Sequence, residues 1–144
     1  MIEIVNRQRK IKINSQVWFE FAEKALTLVR EARGKTLTVA FVSDQKMREL
    51  NRDFRGKNLT TDVLSFPSEQ EDFELAKNAD HLGDVVISVE QAQKQAAENN
   101  LSFELEIKQL ILHGILHLCG YDHARDAGEM NAFELRLRDK LGIS

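Results

Sequence analysis

The chain has 144 residues, a net charge of −3 at neutral pH and a sequence pI near 5.8, which argues against a protein that coats nucleic acid by bulk positive charge. No apolar run reaches the roughly 18 residues of a membrane span, and the start MIEIVNRQRK lacks the apolar segment of a secretion signal. The single cysteine, Cys119, cannot form an internal disulfide. We therefore predict a cytoplasmic protein without a membrane span, organised as a single domain over residues 1–144.

Periodic apolar residues and turn signals predict nine elements along the chain, in the order βαβαββααα. Strands are expected at residues 2–6, 36–42, 61–66 and 82–87, with Pro67 stopping the third. Helices are expected at residues 15–33, 44–56, 88–100 and 102–120, and from about residue 126 onward. This order predicts an α+β fold, in which a small mixed four-stranded sheet packs against helices on one side.

Residues with side-chain oxygens stand where the helices are expected to begin. The predicted N-caps, in chain order, are Ser15, Ser43 or Asp44, Ser88, Ser102 and Asp126. Gln91 follows Ser88 at the spacing of a capping box, in which each residue bonds the backbone of the other. Gly34 is expected to end the first helix at Arg33.

Two segments of opposite charge flank the third predicted strand. Residues 44–57 carry five basic and three acidic side chains, whereas residues 68–80 carry five acidic side chains and one lysine. A solvated face explains either run on its own. The basic segment is nevertheless a local patch that nucleic acid can bind in an otherwise acidic chain.

The stretch HGILHLCGYDH, residues 113–123, holds three of the four histidines of the chain. His113 and His117 stand at positions i and i+4 of a predicted helix, a spacing that lets two imidazoles bind one ion. Gly120 permits the left-handed residue that ends a helix, so the chain can turn back and bring His123 to the same ion. Three histidines leave a fourth position open, as in catalytic zinc sites. The alternative is an ordinary histidine pair packed beside a sheet, with the third histidine exposed.

Other residues near this stretch limit its chemistry. Gly114 stands where zinc proteases of the H-E-x-x-H type carry the glutamate that acts as general base. A glycine inside a helix also predicts the close approach of a substrate or a strand, or simply tight packing. Cys119 lies roughly 140° around the helix from the histidines and is expected in the core rather than as a ligand. Asp122 either orients a ligand imidazole or makes a turn, and His81, in a predicted loop, is expected at the surface.

The histidine stretch, together with NRDFRGKNLTTDVLSFP (residues 51–67) and LGDVVIS (residues 82–88), resembles the YbeY family of bacterial single-strand-specific endoribonucleases over essentially the whole chain. The resemblance implies a zincin-like α+β fold with the metal in a cleft between the histidine helix and the sheet. It also implies one zinc ion on His113, His117 and His123, and catalytic roles for His113 and for Arg55 in the R-G-K block.

The activity that the resemblance implies is metal-dependent cleavage of single-stranded RNA in ribosomal RNA processing, at the 3′ end of 16S rRNA, and in ribosome quality control. The expected partners are single-stranded RNA, ribosomal RNA, the small ribosomal subunit and ribosome-associated proteins. Arg55 can hold two phosphate oxygens at once, which a lysine cannot. Arg48, Arg52 and Lys57 are candidates for guiding the RNA strand.

The sequence leaves several alternatives open. The attacking group is either water or the ribose 2′-OH, and the general base is unassigned. Three imidazoles suit zinc, but nickel, copper or iron can occupy similar nitrogen sites. The competing functions are a non-catalytic RNA-binding factor of ribosome assembly with a structural metal, and another zinc hydrolase such as a peptidase, which Gly114 disfavours.

Overall fold

The computed structural model describes residues 1–68, 80–121 and 128–143. In those residues the elements follow the predicted order βαβαββααα, with one additional 3-10 turn at Arg30–Ala32. The strands are β1 (Ile2–Asn6), β2 (Thr36–Val42), β3 (Val63–Pro67) and β4 (His81–Ser88). The helices are α1 (Ser15–Leu28), α2 (Asp44–Arg55), α3 (Val89–Glu98), α4 (Phe103–Leu118) and α5 (Glu129–Leu141).

The described strands form one mixed sheet in the order β1-β2-β4-β3. β1 and β2 pair in parallel, as do β2 and β4, whereas β3 runs antiparallel to β4. β3 is therefore an edge strand of the described sheet. Pro67 is the last residue of β3 rather than the first residue beyond it, and proline is tolerated there because an edge strand has one unpaired side.

Helices cover both faces of the sheet. α1 and α4 pack on one face, where the larger apolar cluster includes Phe41, Ile87 and Ile111. α2 packs on the other face, where Met47 joins a smaller cluster with Val42. Because successive side chains of a strand point to opposite faces, the neighbours Phe41 and Val42 enter different clusters. The expectation of helices on one side alone is therefore wrong.

The first helix begins and ends differently from the sequence prediction. Asn14, not Ser15, is the N-cap, and its side-chain oxygen accepts a hydrogen bond from a backbone N–H of the first turn. The helix ends at Leu28, because Val29 takes an extended backbone conformation and buries its side chain completely. Arg33, expected as the last helical residue, lies beyond the 3-10 turn.

Three predicted serine caps are confirmed, and the capping box is only half formed. The hydroxyls of Ser43, Ser88 and Ser102 accept backbone hydrogen bonds at the starts of α2, α3 and α4. The Gln91 side chain does not return to Ser88, because its amide donates to the Asp44 carboxylate at 3.3 Å. The Gln91 side chain therefore links α3 to the start of α2 instead of completing the capping box.

The two C-terminal helices are shorter than expected. α4 ends at Leu118 rather than Gly120, and α5 begins at Glu129, after the left-handed Gly128. Asp126, the predicted cap of the last helix, lies outside the described residues. None of the helices in the described ranges combines the length and the apolar character needed to cross a membrane.

Candidate active site

A cleft of about 440 Å³ lies where α4, the edge strand β3 and the end of α2 meet. Concave sites with several convergent polar groups are the usual form of an active site. The sequence assigned two histidines of α4 and one arginine of α2 to a single site, and all three line this cleft. The full lining is Arg55, Asp62, Val63, Leu64, Ser65, Pro67, His113, His117 and Leu118.

The imidazoles of His113 and His117 lie side by side on α4, as their spacing predicts. Their Nε2 atoms are 2.9 Å apart, and the ring centroids are 4.4 Å apart with the planes inclined at 69°. Zinc lies about 2.0 to 2.1 Å from an imidazole nitrogen, so both Nε2 atoms are within reach of one ion. This pair of nitrogen donors therefore fits a zinc ion.

The third predicted ligand, His123, lies outside the described residues, as does Asp122. Within the described ranges, no group of three histidine, cysteine, aspartate or glutamate side chains is arranged as a metal site. The metal site on His113, His117 and His123 therefore stays a prediction.

A buried carboxylate on α5 orients His113. Glu134 Oε1 lies 3.0 Å from His113 Nδ1, and Glu134 Oε2 accepts a hydrogen bond from Arg138 Nη2 at 2.6 Å. A carboxylate that pairs with a guanidinium offers oxygen acceptors, so Nδ1 of His113 is placed to donate its N–H to Glu134 Oε1. Nε2 is then the ring nitrogen that faces His117. A carboxylate on the second nitrogen is the usual support of a metal-binding histidine.

Glu134 is a residue that the sequence interpretation missed. Met130, Glu134 and Leu137 are the buried residues of α5, at spacings that place them on one helix face. An acidic residue within an apolar stripe was the available signal, since buried carboxylates are rare unless they are paired. The sequence interpretation considered only Asp122 for this supporting role.

We expect Glu134→Gln to weaken zinc binding about 10- to 100-fold, the usual effect of losing a residue that supports a metal ligand. Glutamine keeps the size of the side chain but removes the charge that fixes the proton on His113. Zinc affinity would be measured by competition with a chelating dye, and Glu104→Gln is the matched control. Glu104 pairs with Lys108 at 3.4 Å on the exposed side of α4. A folded Glu134→Gln protein with unchanged zinc affinity would refute the orienting role.

Arg55 reaches the cleft because it is the last residue of α2. Gly56 ends the helix in the left-handed conformation, with φ of 70°, which glycine adopts without steric cost. The chain then turns toward β3, and Arg55 remains exposed beside the cleft. α2 and α4 lie on opposite faces of the sheet, so the guanidinium and the imidazoles approach the cleft from two sides of the edge strand.

The neighbouring basic residues do not line the cleft. Arg48 Nε donates to Asn58 Oδ1 at 3.2 Å and borders a separate cavity of about 350 Å³. Arg52 Nε donates to Asp53 Oδ1, also at 3.2 Å, and Lys57 is exposed. A role of these cations in guiding RNA stays a prediction.

Gly114 is explained by packing against the sheet. A Cβ atom at this position would lie 2.7 Å from Val85 Cγ2 and 3.3 Å from Ser65 Oγ. Distances below 3.0 Å force a displacement, so only glycine lets α4 lie this close to β3 and β4. The sequence left a substrate, a strand or simple tight packing as explanations of Gly114, and the structure shows the close approach of a strand.

Asp62 and Ser65 also line the cleft, although the sequence interpretation treated them only as part of a strand region. Val63, Ser65 and Pro67 alternate along β3 and share the face toward α4, and the Ser65 hydroxyl is 3.5 Å from the Gly114 carbonyl oxygen. Asp62 precedes the strand, and its Oδ1 accepts the Val63 N–H at 2.8 Å. The alternation of side chains along a strand was the sequence signal that Val63, Ser65 and Pro67 share one face.

The loop between Arg55 and β3 is tied down by Asp44. Its carboxylate accepts hydrogen bonds from the hydroxyls of Thr60 and Ser88 and from the amide of Gln91. Burial tends to raise the pKa of Asp44, but these hydrogen bonds outweigh it and hold the pKa below its usual value. The ionised Asp44 therefore connects the start of α2, the loop and the end of β4.

Cys119 and His81 lie outside the cleft lining. Cys119 is half-buried against the larger cluster, and burial raises the pKa of its thiol to about 11. The thiol is therefore protonated at neutral pH, whereas metals bind the thiolate. His81 is the first residue of β4 rather than part of a loop, and its ring nitrogens lie 2.8 Å from Thr36 Oγ1 and 3.1 Å from Asp84 Oδ1.

The fold and the cleft together define a class of protein. It is an α+β domain in which an imidazole pair and a guanidinium share one cleft, and this arrangement is suited to phosphodiester hydrolysis. The profile of the family described as Endoribonuclease YbeY matches residues 3–142. The chain belongs to the YbeY endoribonuclease family, as its sequence motifs indicated.

Individual relatives agree with this assignment. The protein named Endoribonuclease YbeY from Carboxydothermus hydrogenoformans is 40% identical over 146 residues, which cover 99% of each chain. That of Thermodesulfovibrio yellowstonii is 36% identical over 156 residues, covering 97% of this chain and 96% of the relative. The solution structure of a Thermotoga maritima protein matches with a TM-score of 0.65 and 28% identity, over 98% of this chain and 89% of that one.

Proposed function

We propose that this chain is a zinc-dependent endoribonuclease that cleaves single-stranded RNA. The observation that carries the proposal is the shared cleft, in which His113 and His117 lie with Arg55 beside an open volume of about 440 Å³. The relatives named Endoribonuclease YbeY support the choice of RNA as substrate. In the cell, the proposed substrate is ribosomal RNA, including the 3′ end of 16S rRNA, with the cytoplasm as the site of action.

Arg55 would bind the phosphate whose ester bond is cleaved. Its planar, positively charged guanidinium offers two parallel N–H groups to two phosphate oxygens. Negative charge increases on these oxygens as the bond breaks, and a fixed cation lowers the barrier most where charge develops. The exposed position of Arg55 leaves the guanidinium accessible to an entering strand.

His113 and His117, with His123 as the proposed third ligand, would hold the zinc ion. When bound, zinc supplies Lewis-acid polarisation of an oxygen at the scissile phosphate. Glu134 accepts the Nδ1–H of His113, so that Nε2 is the nitrogen of this ring that would bind the zinc ion. Because Glu134 is 5% exposed and paired with Arg138, this orientation is set before RNA binds.

The ends of the RNA products distinguish the two routes of attack. If water attacks the phosphorus atom directly and the 3′-oxygen leaves, the downstream product carries a 5′-phosphate, which attack by the ribose 2′-OH cannot produce. If the ribose 2′-OH attacks, the upstream product carries a 2′,3′-cyclic phosphate. The same end-labelled RNA therefore tests the activity and its route.

Removal and return of the metal test the proposed function. Chelator-treated protein should lose cleavage of an end-labelled single-stranded RNA, and stoichiometric zinc should restore it, because the Lewis acid contributes several kcal/mol of transition-state stabilisation. Zinc, nickel, copper and iron would be compared at equal occupancy. Cleavage that persists after complete removal of metal would overturn zinc dependence. Tight RNA binding without cleavage under every metal would instead identify a binding factor of ribosome assembly.

The proposed cellular role adds partners that the assay must include. Precursor 16S rRNA, free and within small ribosomal subunits, would be compared as substrates, with and without ribosome-associated proteins. A role in ribosome quality control predicts that defective subunits are cut faster than intact ones. Equal cleavage of all RNAs would assign substrate selection to factors other than this chain.

A further inference from the structure

Phe54 is unusually exposed for an aromatic residue. It is 67% exposed, whereas Phe19, the other exposed aromatic in the described part of the chain, is 37% exposed. A large apolar side chain held in water generally marks a contact surface when it belongs to a patch rather than standing alone. The surroundings of Phe54 therefore decide what it contacts.

The position of Phe54 places it at the margin of the cleft. It immediately precedes Arg55, and consecutive Cα atoms are about 3.8 Å apart. Its ring lies edge-on against Phe66, with centroids 5.2 Å apart and planes at 71°. Phe66 alternates with the cleft-lining Ser65 and Pro67 along β3 and packs with the smaller cluster, so the Phe54 ring lies on the α2 side of the edge strand, next to Arg55. The aromatic contact gives the Phe54 ring a defined position while most of it remains in solvent.

The positive charge around Phe54 favours nucleic acid as the partner that contacts it. Residues 52–59 are all exposed and contain three cations, Arg52, Arg55 and Lys57, against one acid, Asp53. An aromatic ring among cations is the composition of surfaces that bind single-stranded nucleic acid, where rings stack on bases and cations follow the phosphates. A purely apolar protein partner would not account for these cations.

We propose that the Phe54 ring stacks on an unpaired base of the RNA strand whose phosphate Arg55 binds. This inference rests on the proposed function and adds a residue that determines specificity. A base inside a duplex already stacks on its neighbours and is paired, so it offers no free face to the ring. Stacking on Phe54 therefore favours single-stranded substrates and does so for any base, because every base has a π-face.

The test compares Phe54→Ala with Phe19→Ala, which removes an exposed ring from α1. Binding of fluorescent single-stranded RNA would be measured by anisotropy, alongside KM and kcat for cleavage of the same RNA with and without its complement. We expect Phe54→Ala to raise Kd and KM roughly 5- to 150-fold, the range for loss of one stacked base. Phe54→Tyr should retain wild-type values, and Phe19→Ala should change neither.

A series of RNAs, each with one abasic residue at a different position, separates stacking from other effects. Wild type should lose affinity when the stacked base is missing, whereas Phe54→Ala should bind the abasic and complete RNAs equally. If removal of that base weakens binding by Phe54→Ala as much as it weakens binding by wild type, or if Phe54→Ala behaves as Phe19→Ala does, the stacking role is wrong while the nuclease function stands. If wild type neither binds nor cleaves RNA, the proposed function itself fails.

Discussion

His117→Ala is expected to lose bound zinc and to cut single-stranded RNA at least about 10³-fold more slowly than wild type. The substitution removes one of two nitrogens that lie 2.9 Å apart and leaves His113 as the one imidazole that α4 contributes to the proposed site. The remaining ligands would bind the ion weakly, and loss of its several kcal/mol of charge stabilisation corresponds to this factor. Zinc content, melting temperature, RNA affinity and cleavage would be measured on the same preparations.

His81→Ala is the matched histidine control for this experiment. His81 contacts Thr36 and Asp84 at the start of β4 and does not line the cleft, so zinc content and cleavage should be unchanged. A catalytic zinc site predicts that His117→Ala still binds RNA, since Arg55 remains. Joint loss of RNA binding and folding stability with the zinc would instead support a structural metal in a non-catalytic binding factor.

The features predicted correctly from sequence are mostly local ones. Ser102 caps α4 as expected. The spacing of His113 and His117 places their side chains next to each other once the segment is helical. Gly56 likewise ends α2 so that Arg55 is its last residue. These relations are set within about one helical turn of backbone, which is why a single sequence contains them.

The features that sequence did not give depend on packing between distant segments. Glu134 meets His113 only because α5 lies against α4, and no local pattern specifies that contact across 21 positions. The placement of α2 on the second face follows from the alternation of β2, in which Phe41 and Val42 serve different clusters. Gln91 had the spacing of a capping box, but the stronger acceptor Asp44 of another helix bonds its side chain.

Arg55→Ala should reduce kcat about 10²- to 10³-fold while zinc content and melting temperature stay at wild-type values. The expected factor is that for removing one fixed donor from a developing oxyanion. The side chain is exposed at the end of α2, so its truncation leaves no buried group unpaired. Arg55→Lys should recover only part of the activity, since an ammonium keeps the charge but not the two parallel N–H groups.

Arg52→Ala distinguishes this specific role from a general effect of positive charge. Arg52 is three residues from Arg55 on the same helix, pairs with Asp53 at 3.2 Å, and does not line the cleft. Its loss should leave kcat unchanged and at most weaken RNA binding. The slope of log Kd against the logarithm of salt concentration should then fall by about one, the value for one phosphate contact. Equal losses of kcat in the two variants would assign the effect to bulk charge. A fall in zinc content in Arg55→Ala would show that the arginine supports the metal site rather than the phosphate.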